Sequence, residues 1–170
     1  MSRPWNEGMG IMHIRLGLDF GGVIVKAHDR NACEDTNLCS DDRMEMVHDG
    51  ALEGIKTMVS LTGGAVWIVS KAGPKMQQIT REWLDVVDFY TKTGMARDHL
   101  CFCEERPQKE TICTSLNITH FVDDRLHIMQ ILRHCVPNLF LFGTEKNRRF
   151  CPPWASFVTN WPELTKKVFI

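Results

Sequence analysis

The sequence has no strong excess of either charge and no apolar run long enough to cross a bilayer. Its 20 basic and 21 acidic residues leave a formal net charge of -1. A nearly neutral chain produces no broad positive field to attract nucleic acid, and the basic stretch of Lys146, Arg148 and Arg149 is interpreted as a solvated loop. A membrane-spanning helix needs about 20 consecutive apolar residues. We therefore expect neither a nucleic-acid partner nor a membrane partner, and the sequence leaves the oligomeric state open.

Two further absences concern secretion and zinc. The opening stretch MSRPWNEGMG lacks the apolar core of a signal peptide, so we expect a cytoplasmic protein with a mobile arm over residues 1–12. Seven cysteines are an odd number, which favours free thiols in a reducing compartment. Cys101 and Cys103 lie on a predicted strand, and Cys33 and Cys39 lie in a polar stretch. Neither pair has a matching partner at zinc spacing, so a structural zinc site is disfavoured.

Short apolar runs alternate with helical patterns along the chain. Continuous runs of this kind are typical of parallel strands that are buried on both faces. The predicted strands cover residues 13–20, 65–70, 99–103, 119–124 and 139–143. The predicted helices cover residues 51–61, 74–87, 107–116, 125–134 and 162–168. This alternation predicts an α/β fold, a doubly wound three-layer Rossmann-like parallel sheet, in a single domain over residues 1–170.

The predicted helices carry apolar residues at the spacing of one helical face, which should pack on the sheet. These positions are Leu52, Ile55, Met58 and Val59 in the first helix, Met76, Ile79, Trp83, Val86 and Val87 in the second, Ile112 and Leu116 in the third, and Leu126, Met129 and Leu132 in the fourth. The histidines at positions 28, 48, 120, 127 and 134 show no ligand spacing and are interpreted as structural or surface residues.

Polar residues stand where the predicted strands end. In doubly wound sheets, ligands bind beyond the carboxyl ends of the strands. The residues selected by this rule are Asp19, Phe20, Gly21 and Gly22 after the first strand, Ser70 and Lys71 after the second, and Asp123 and Asp124 after the fourth. Residues 26–50 form the longest irregular stretch, polar and acidic, and are predicted to be a flap or small lid.

The tripeptide Asp19-Phe20-Gly21 also occurs in protein kinases. A kinase needs its catalytic loop upstream of this tripeptide, and only 18 residues precede Asp19. The longer run GLDFGG is similar to the first phosphate loop of actin-like ATPases, but those proteins need two large lobes that 170 residues cannot supply. Both interpretations are therefore rejected.

The order of the strand-end residues resembles the haloacid dehalogenase superfamily, whose members are mostly Mg²⁺-dependent phosphohydrolases. LGLDFGGVIV is similar to the first motif, VWIVSKAG to the second, Lys109 in RPQKETIC to the third, and HFVDDRL to the fourth. The resemblance extends from about residue 13 to residue 143. It implies a phosphatase with Asp19 as the nucleophile that forms an aspartyl-phosphate, and Lys109 as the cation that stabilises the crowded negative charge.

The resemblance also implies a substrate site and a cofactor. Ser70, Lys71 and Gly22 would bind the phosphate of a phosphorylated small molecule or macromolecule. Mg²⁺ prefers oxygen ligands, and its ligands would be one oxygen of Asp19, the backbone carbonyl of Gly21, and Asp124. Asp123 would be an alternative ligand, or would support the ligands from behind.

Gly21 departs from the pattern of the family's phosphatases. Those enzymes carry, two residues after the nucleophile, a second Asp that protonates the leaving oxygen and then activates water. Loss of a positioned general acid typically costs about 10²–10⁴-fold in rate. Three interpretations stay open: a slow phosphatase whose acid is His28, Asp29, Glu34 or Asp35, an enzyme for substrates with good leaving groups, and a catalytically inactive module that binds Mg²⁺, phosphate or a partner.

The lengths between the motifs predict a minimal cap or no cap. Residues 24–65 span 42 positions and residues 71–108 span 38. Both segments already contain predicted helices, so neither has room for a full cap domain. We therefore expect an open site, which resembles the capless members of the superfamily.

Overall fold

The computed structural model describes residues 13–26 and 46–170. Its sheet has six parallel strands in the order β3-β2-β1-β4-β5-β6. The strands are β1 (Leu16–Leu18), β2 (Val66–Lys71), β3 (Leu100–Cys103), β4 (His120–Asp123), β5 (Asn138–Phe142) and β6 (Ser156–Val158). The direction of winding reverses at β1, so β1 and β4 flank the point where doubly wound sheets bind ligands.

Six α-helices are described within those ranges. They are α1 (Ala51–Leu61), α2 (Pro74–Val86), α3 (Phe89–Thr93), α4 (Gln108–Ser115), α5 (Leu126–Leu132) and α6 (Trp161–Val168). Short 3₁₀ helices cover Arg97–His99 and Glu145–Phe150. No helix of the two described ranges combines the length and the apolar character that crossing a membrane requires.

The strands are apolar because both faces of the sheet are covered. Along β2, Ile68 packs in one apolar cluster, whereas Trp67 and Val69 pack in the other. The first cluster includes residues of α1, α2, α3 and α6, and the second includes residues of α4 and α5. Burial on two faces removes the polar alternation of a half-exposed strand. The predicted three-layer α/β architecture is therefore confirmed.

Several predicted helix faces differ from the packed ones. Met76 and Val86 of α2 are 54% and 56% exposed, and Ile79 is exposed as well. The buried face is rotated toward the sheet and carries Trp83, Leu84 and Val87, with Thr80. In α4 the buried residues are Lys109 and Cys113, whereas Ile112 and Leu116 are only half-buried. Leu52, Val59 and Leu126 are also half-buried rather than part of the core.

The chain that follows β1 makes a tight turn before the described part is interrupted after residue 26. Gly22 N donates to Val25 O at 2.8 Å, and Ile24 N donates to Phe20 O at 3.0 Å. Val25 then pairs with Val47 in an antiparallel bridge, and Lys26 N donates to Met46 O at 2.6 Å. These contacts form the base of the predicted flap. The rest of that flap, the N-terminal arm, Cys33 and Cys39 lie outside the described residues.

Candidate active site

Three carboxylates meet where β1 and β4 end. Leu18 pairs with Val122 in the register of these strands, and Asp19 N donates to Val122 O at 2.9 Å. Oxygen atoms of Asp19, Asp123 and Asp124 all lie within 4.8 Å of one another. Neighbouring parallel strands carry their carboxyl ends to the same edge, which explains why residues about 100 positions apart in sequence form one acidic cluster.

Helix α4 brings a buried cation to this cluster. Lys109 Nζ donates to Asp19 Oδ1 at 2.9 Å and to Asp123 Oδ2 at 2.8 Å. Its side chain is only 2% exposed. Burial by itself disfavours the charged amine, but the charges of Asp19 and Asp123 outweigh this effect and raise the pKa of Lys109. The lysine is therefore held as a cation between the first and fourth strands.

Burial favours the neutral form of the carboxyl groups, whereas the lysine is kept charged. It raises the pKa of Asp19 to about 6, with the nearby charge of Asp123 as the next contribution, while Lys109 opposes the rise. Burial is also the main cause that raises the pKa of Asp123 and of Asp124. Like charges crowded away from water favour protonation unless a cation compensates them.

The two acids that end β4 have different surroundings. Asp123 uses both oxygens, because Oδ2 accepts from Lys109 and Oδ1 accepts from Arg125 N at 3.0 Å. Asp124 Oδ1 is buried and has no hydrogen-bond partner among residues 13–26 and 46–170. A buried oxygen without a partner is costly and calls for an explanation such as a bound ion.

The residues present fit a hard divalent cation. An all-oxygen donor set of carboxylates and a backbone carbonyl is the set that Mg²⁺ or Ca²⁺ takes. One carboxylate oxygen of Asp124 lies within 4.8 Å of one of Asp19, and Asp124 Oδ1 lacks a partner among the described residues, whereas both oxygens of Asp123 are engaged. This supports Asp19 and Asp124 as ligands and Asp123 as the residue that positions Lys109.

Gly22 has a steric role beside this acid. Its φ is +82°, and a Cβ at this position would lie 2.2 Å from Asp124 Oδ2. Glycine is therefore required both for the backbone conformation and for the close approach of Asp124. Its phosphate-binding role stays a prediction.

Gly21 is exposed, and a Cβ built there would meet no atom of the described part of the chain within 4 Å. Space for the acid found in the family's phosphatases is thus present, although the carboxyl group is not. The alternative acids His28, Asp29, Glu34 and Asp35 lie outside the described residues.

Ser70 and Lys71, at the end of β2, differ from each other in their exposure to solvent. Extending the register of Leu18 with Ile68 sets Ser70 level with Phe20, one position beyond Asp19. Ser70 is buried, whereas the side chain of Lys71 points to solvent. The geometry therefore supports Ser70 as the phosphate-binding residue of β2 more strongly than Lys71.

Two residues outside the motifs contact the turn that follows Asp19: Trp161, and His48, whose backbone N donates to Ile24 O at 2.9 Å. Trp161 Nε1 of α6 donates to Val23 O at 2.9 Å and so anchors the turn that follows Asp19. The ring of His48 lies edge-on to Phe142 with centroids 5.1 Å apart, and burial lowers the pKa of His48. Trp161 is 138 positions from Val23 in sequence, so no local pattern could have predicted this contact.

Comparisons with known proteins give matches in structure alone. No protein-family model and no curated protein sequence matches the chain. A D,D-heptose 1,7-bisphosphate phosphatase from B. bronchiseptica, solved with magnesium and phosphate, matches with a TM-score of 0.63 and 14% identity, over 92% of this chain and 98% of that one. A HAD-superfamily hydrolase from Ehrlichia chaffeensis matches with a TM-score of 0.60 and 12% identity, over 95% and 98% of the two chains.

A third solved structure gives the same result. A haloacid dehalogenase-like hydrolase from Xanthomonas campestris matches with a TM-score of 0.58 and 10% identity, over 91% of this chain and 96% of that one. The fold of the protein is therefore haloacid dehalogenase-like, as the sequence resemblance implied.

Proposed function

We propose that the protein is a Mg²⁺-dependent phosphohydrolase that acts through a phosphorylated Asp19. The observation that carries this proposal is the cluster itself: Asp19, buried beside Asp124 with its unpartnered oxygen, hydrogen-bonds the Lys109 cation. Further support comes from the structural neighbour that was solved with magnesium and phosphate.

The first chemical step uses the nucleophile at the end of β1. A carboxylate oxygen of Asp19 attacks phosphorus, the new O–P bond forms, and the bond from phosphorus to the leaving oxygen breaks. Lys109 Nζ, already 2.9 Å from Asp19 Oδ1, stabilises negative charge on Asp19 and on the phosphoryl oxygens. The hydroxyl of Ser70 donates to a phosphoryl oxygen.

The metal would be held by Asp19, Asp124 and the carbonyl of Gly21. Bound there, Mg²⁺ supplies charge neutralisation that lets a carboxylate approach a phosphate dianion. Asp123 keeps Lys109 in place through its 2.8 Å contact.

Gly21 determines which substrates suit this site. Without an acid at this position, the leaving oxygen departs unprotonated, so esters with acidic leaving groups should react fastest. Hydrolysis of the aspartyl-phosphate also needs water to lose a proton, and Gly21 cannot accept it. We therefore expect a fast first step and a slow second step.

An aryl phosphate tests this proposal directly. With Mg²⁺, p-nitrophenyl phosphate should give a burst of one nitrophenolate per protein chain, followed by slow turnover. Asp19→Asn should remove both phases, and Gly21→Asp should raise the slow phase by about 10²–10⁴-fold. Gly21→Asn is the matched control, since it fills the same open space without an acid.

The open space at Gly21 also favours a second candidate, an inactive binding module. In that case the wild type releases no nitrophenolate while Gly21→Asp acquires turnover, and the wild type still binds inorganic phosphate with Mg²⁺. If Gly21→Asp is also silent and Mg²⁺ does not bind, both candidates are wrong.

A further inference from the structure

We propose that a concavity next to the candidate active site binds the hydroxyl-bearing part of a sugar or polyol phosphate. This inference rests on the proposed function, because it names the substrate class of the same site. The concavity has a volume of about 520 Å³ and lies at the carboxyl end of the edge strand β3, between α2 and α4. Its lining includes Gln77, Phe102, Glu104, Gln108 and Thr111.

The amide of Gln108 is held in one orientation by the backbone. Its Oε1 accepts from Glu104 N at 3.0 Å and from Glu105 N at 2.9 Å. Two N–H donors on the same atom require that atom to be the oxygen. The NH₂ group of Gln108 is thereby presented as a hydrogen-bond donor to a ligand.

The amide of Gln77, on the α2 side of the concavity, is also held in one orientation, but it presents an acceptor instead of a donor. Its Nε2 donates to Ala72 O at 2.9 Å, which requires this atom to be the nitrogen and leaves the side-chain oxygen as an acceptor. The concavity therefore has a preorganised donor from α4 and a preorganised acceptor from α2. Preorganised groups bind a ligand without the cost of ordering them.

The concavity is continuous with the phosphate end of the site. Ser70 pairs with Phe102 in the register of β2 and β3, and neighbouring strands lie about 4.8 Å apart. Ala72 N donates to Cys103 O at 2.8 Å, and Gln108 directly precedes Lys109. A molecule whose phosphate contacts Ser70 and Lys109 therefore needs only a few carbon atoms to reach the concavity.

The chemistry of the lining matches hydroxyl groups. Each hydroxyl donates and accepts, so vicinal hydroxyls complement an amide donor, an amide acceptor, the Glu104 carboxylate and the Thr111 hydroxyl. The carboxylate of Glu104 also disfavours a second phosphate in the concavity. The volume falls in the range of about 300–1,000 Å³ that small-ligand sites occupy.

The aromatic residue of the lining favours a polyol over a nucleotide. The guanidinium of Arg81 lies 5.0 Å from the ring centroid of Phe102, and the half-buried ring also packs against the core. One face of the ring is thus covered by Arg81, so a base could stack on that face only by displacing this side chain.

Binding of phosphonates, which cannot be hydrolysed, tests the inference independently of turnover. Calorimetry with Mg²⁺ compares methylphosphonate with the 6-phosphonate analogue of glucose 6-phosphate. We expect the sugar phosphonate to bind at least tenfold more tightly. Thr111→Phe should abolish this gain by filling the concavity, without changing the affinity for methylphosphonate.

A matched control and a milder variant accompany this test. The control Thr91→Phe makes the same substitution at an exposed position of α3. The chain runs from α3 to the amino end of β3, whereas the concavity lies at the carboxyl end of that strand. This variant should therefore keep the gain. Glu104→Ala, an exposed change that is safe for folding, should reduce the gain about threefold.

The outcomes distinguish a failure of the polyol inference from a failure of the proposed function. If methylphosphonate binds but the sugar phosphonate binds no better, or if the gain survives Thr111→Phe, the concavity is not a polyol site and the proposed function stands. A nucleoside phosphonate with an equal gain would also overturn the polyol assignment. If even methylphosphonate fails to bind with Mg²⁺, the phosphate site is wrong and the inference fails with it.

Discussion

At the scale of single residues, Gly22 affects the site in two ways, through its positive φ and through its close approach to Asp124. Gly22→Ala would place a Cβ 2.2 Å from Asp124 Oδ2, and the acid must move away. We expect Mg²⁺ affinity to fall at least tenfold, measured by calorimetry. Stability should also fall by about 1–2 kcal/mol because φ is positive.

Gly63 offers a matched control for this prediction. Its φ is +64°, but a Cβ there would meet no described atom within 4 Å. Gly63→Ala should therefore lose a similar amount of stability and keep its full affinity for Mg²⁺. Equal Mg²⁺ affinities in the two variants would mean that Asp124 is not a ligand.

Loss of the buried Lys109 cation should strongly affect stability. Lys109→Met leaves Asp19 and Asp123 buried without their cation, and breaking a buried ion pair in this way typically costs about 3–5 kcal/mol. Urea unfolding at pH 8 measures this loss. The control Arg97→Met breaks the exposed pair of Arg97 with Asp85, and exposed pairs contribute little to stability. A loss for Lys109→Met as small as that of the control would contradict the compensating role of Lys109.

At the scale of elements, strands were easier to predict than helix faces. Strands β1 to β5 were predicted because burial on both faces leaves continuous apolar runs. β6 was missed because it lies at the edge of the sheet and its first residue, Ser156, is exposed, so it lacks the continuous buried run of β1, which is equally short. The buried face of α2 was predicted only in part: Trp83 and Val87 are buried, whereas Met76, Ile79 and Val86 are exposed. Packing of Trp83 against Phe20, with ring centroids 5.4 Å apart, is a tertiary contact that helps to orient the helix, and the sequence period does not report it.

The candidate site could likewise be predicted only in part. The clustering of Asp19 with Asp123 and Asp124 could be predicted, since parallel strands bring their ends together. The fixed amides of Gln77 and Gln108 could not, because their orientation depends on loop backbone atoms that no sequence period reports.

Helix α6 acts on the site through one hydrogen bond, which gives a testable contrast between two tryptophans. Trp161→Phe leaves Val23 O without its 2.9 Å donor, whereas Trp83 Nε1 is buried and finds no partner within the two described ranges. Losing one partner of a buried hydrogen bond costs about 1–3 kcal/mol. We expect Trp161→Phe to destabilise the protein, measured by urea unfolding, by that much more than Trp83→Phe. Equal losses would show that the contact with Val23 contributes nothing.

At the scale of the whole molecule, the sheet divides the protein into two apolar layers and leaves the chemistry at one edge. The candidate site lies at the carboxyl ends of β1, β2 and β4, whereas His120 begins β4 at the opposite edge. Substitutions at His120 therefore report on the core without touching the candidate ligands.

This position allows a pH test of folding. Burial lowers the pKa of His120 from its ordinary value of 6.5, and its ring lies against Phe140 with centroids 6.1 Å apart. Below that value the unfolded chain binds a proton that the folded ring resists, so stability is full above about pH 6.5 and is lost as the pH falls. His120→Gln removes this titration. The free-energy difference between wild type and His120→Gln should therefore be larger at pH 8 than at pH 5.5, because the loss of ring packing is the same at both pH values. Urea unfolding at the two pH values measures it, and a difference that stays constant or grows toward pH 5.5 would show that the buried ring does not resist protonation.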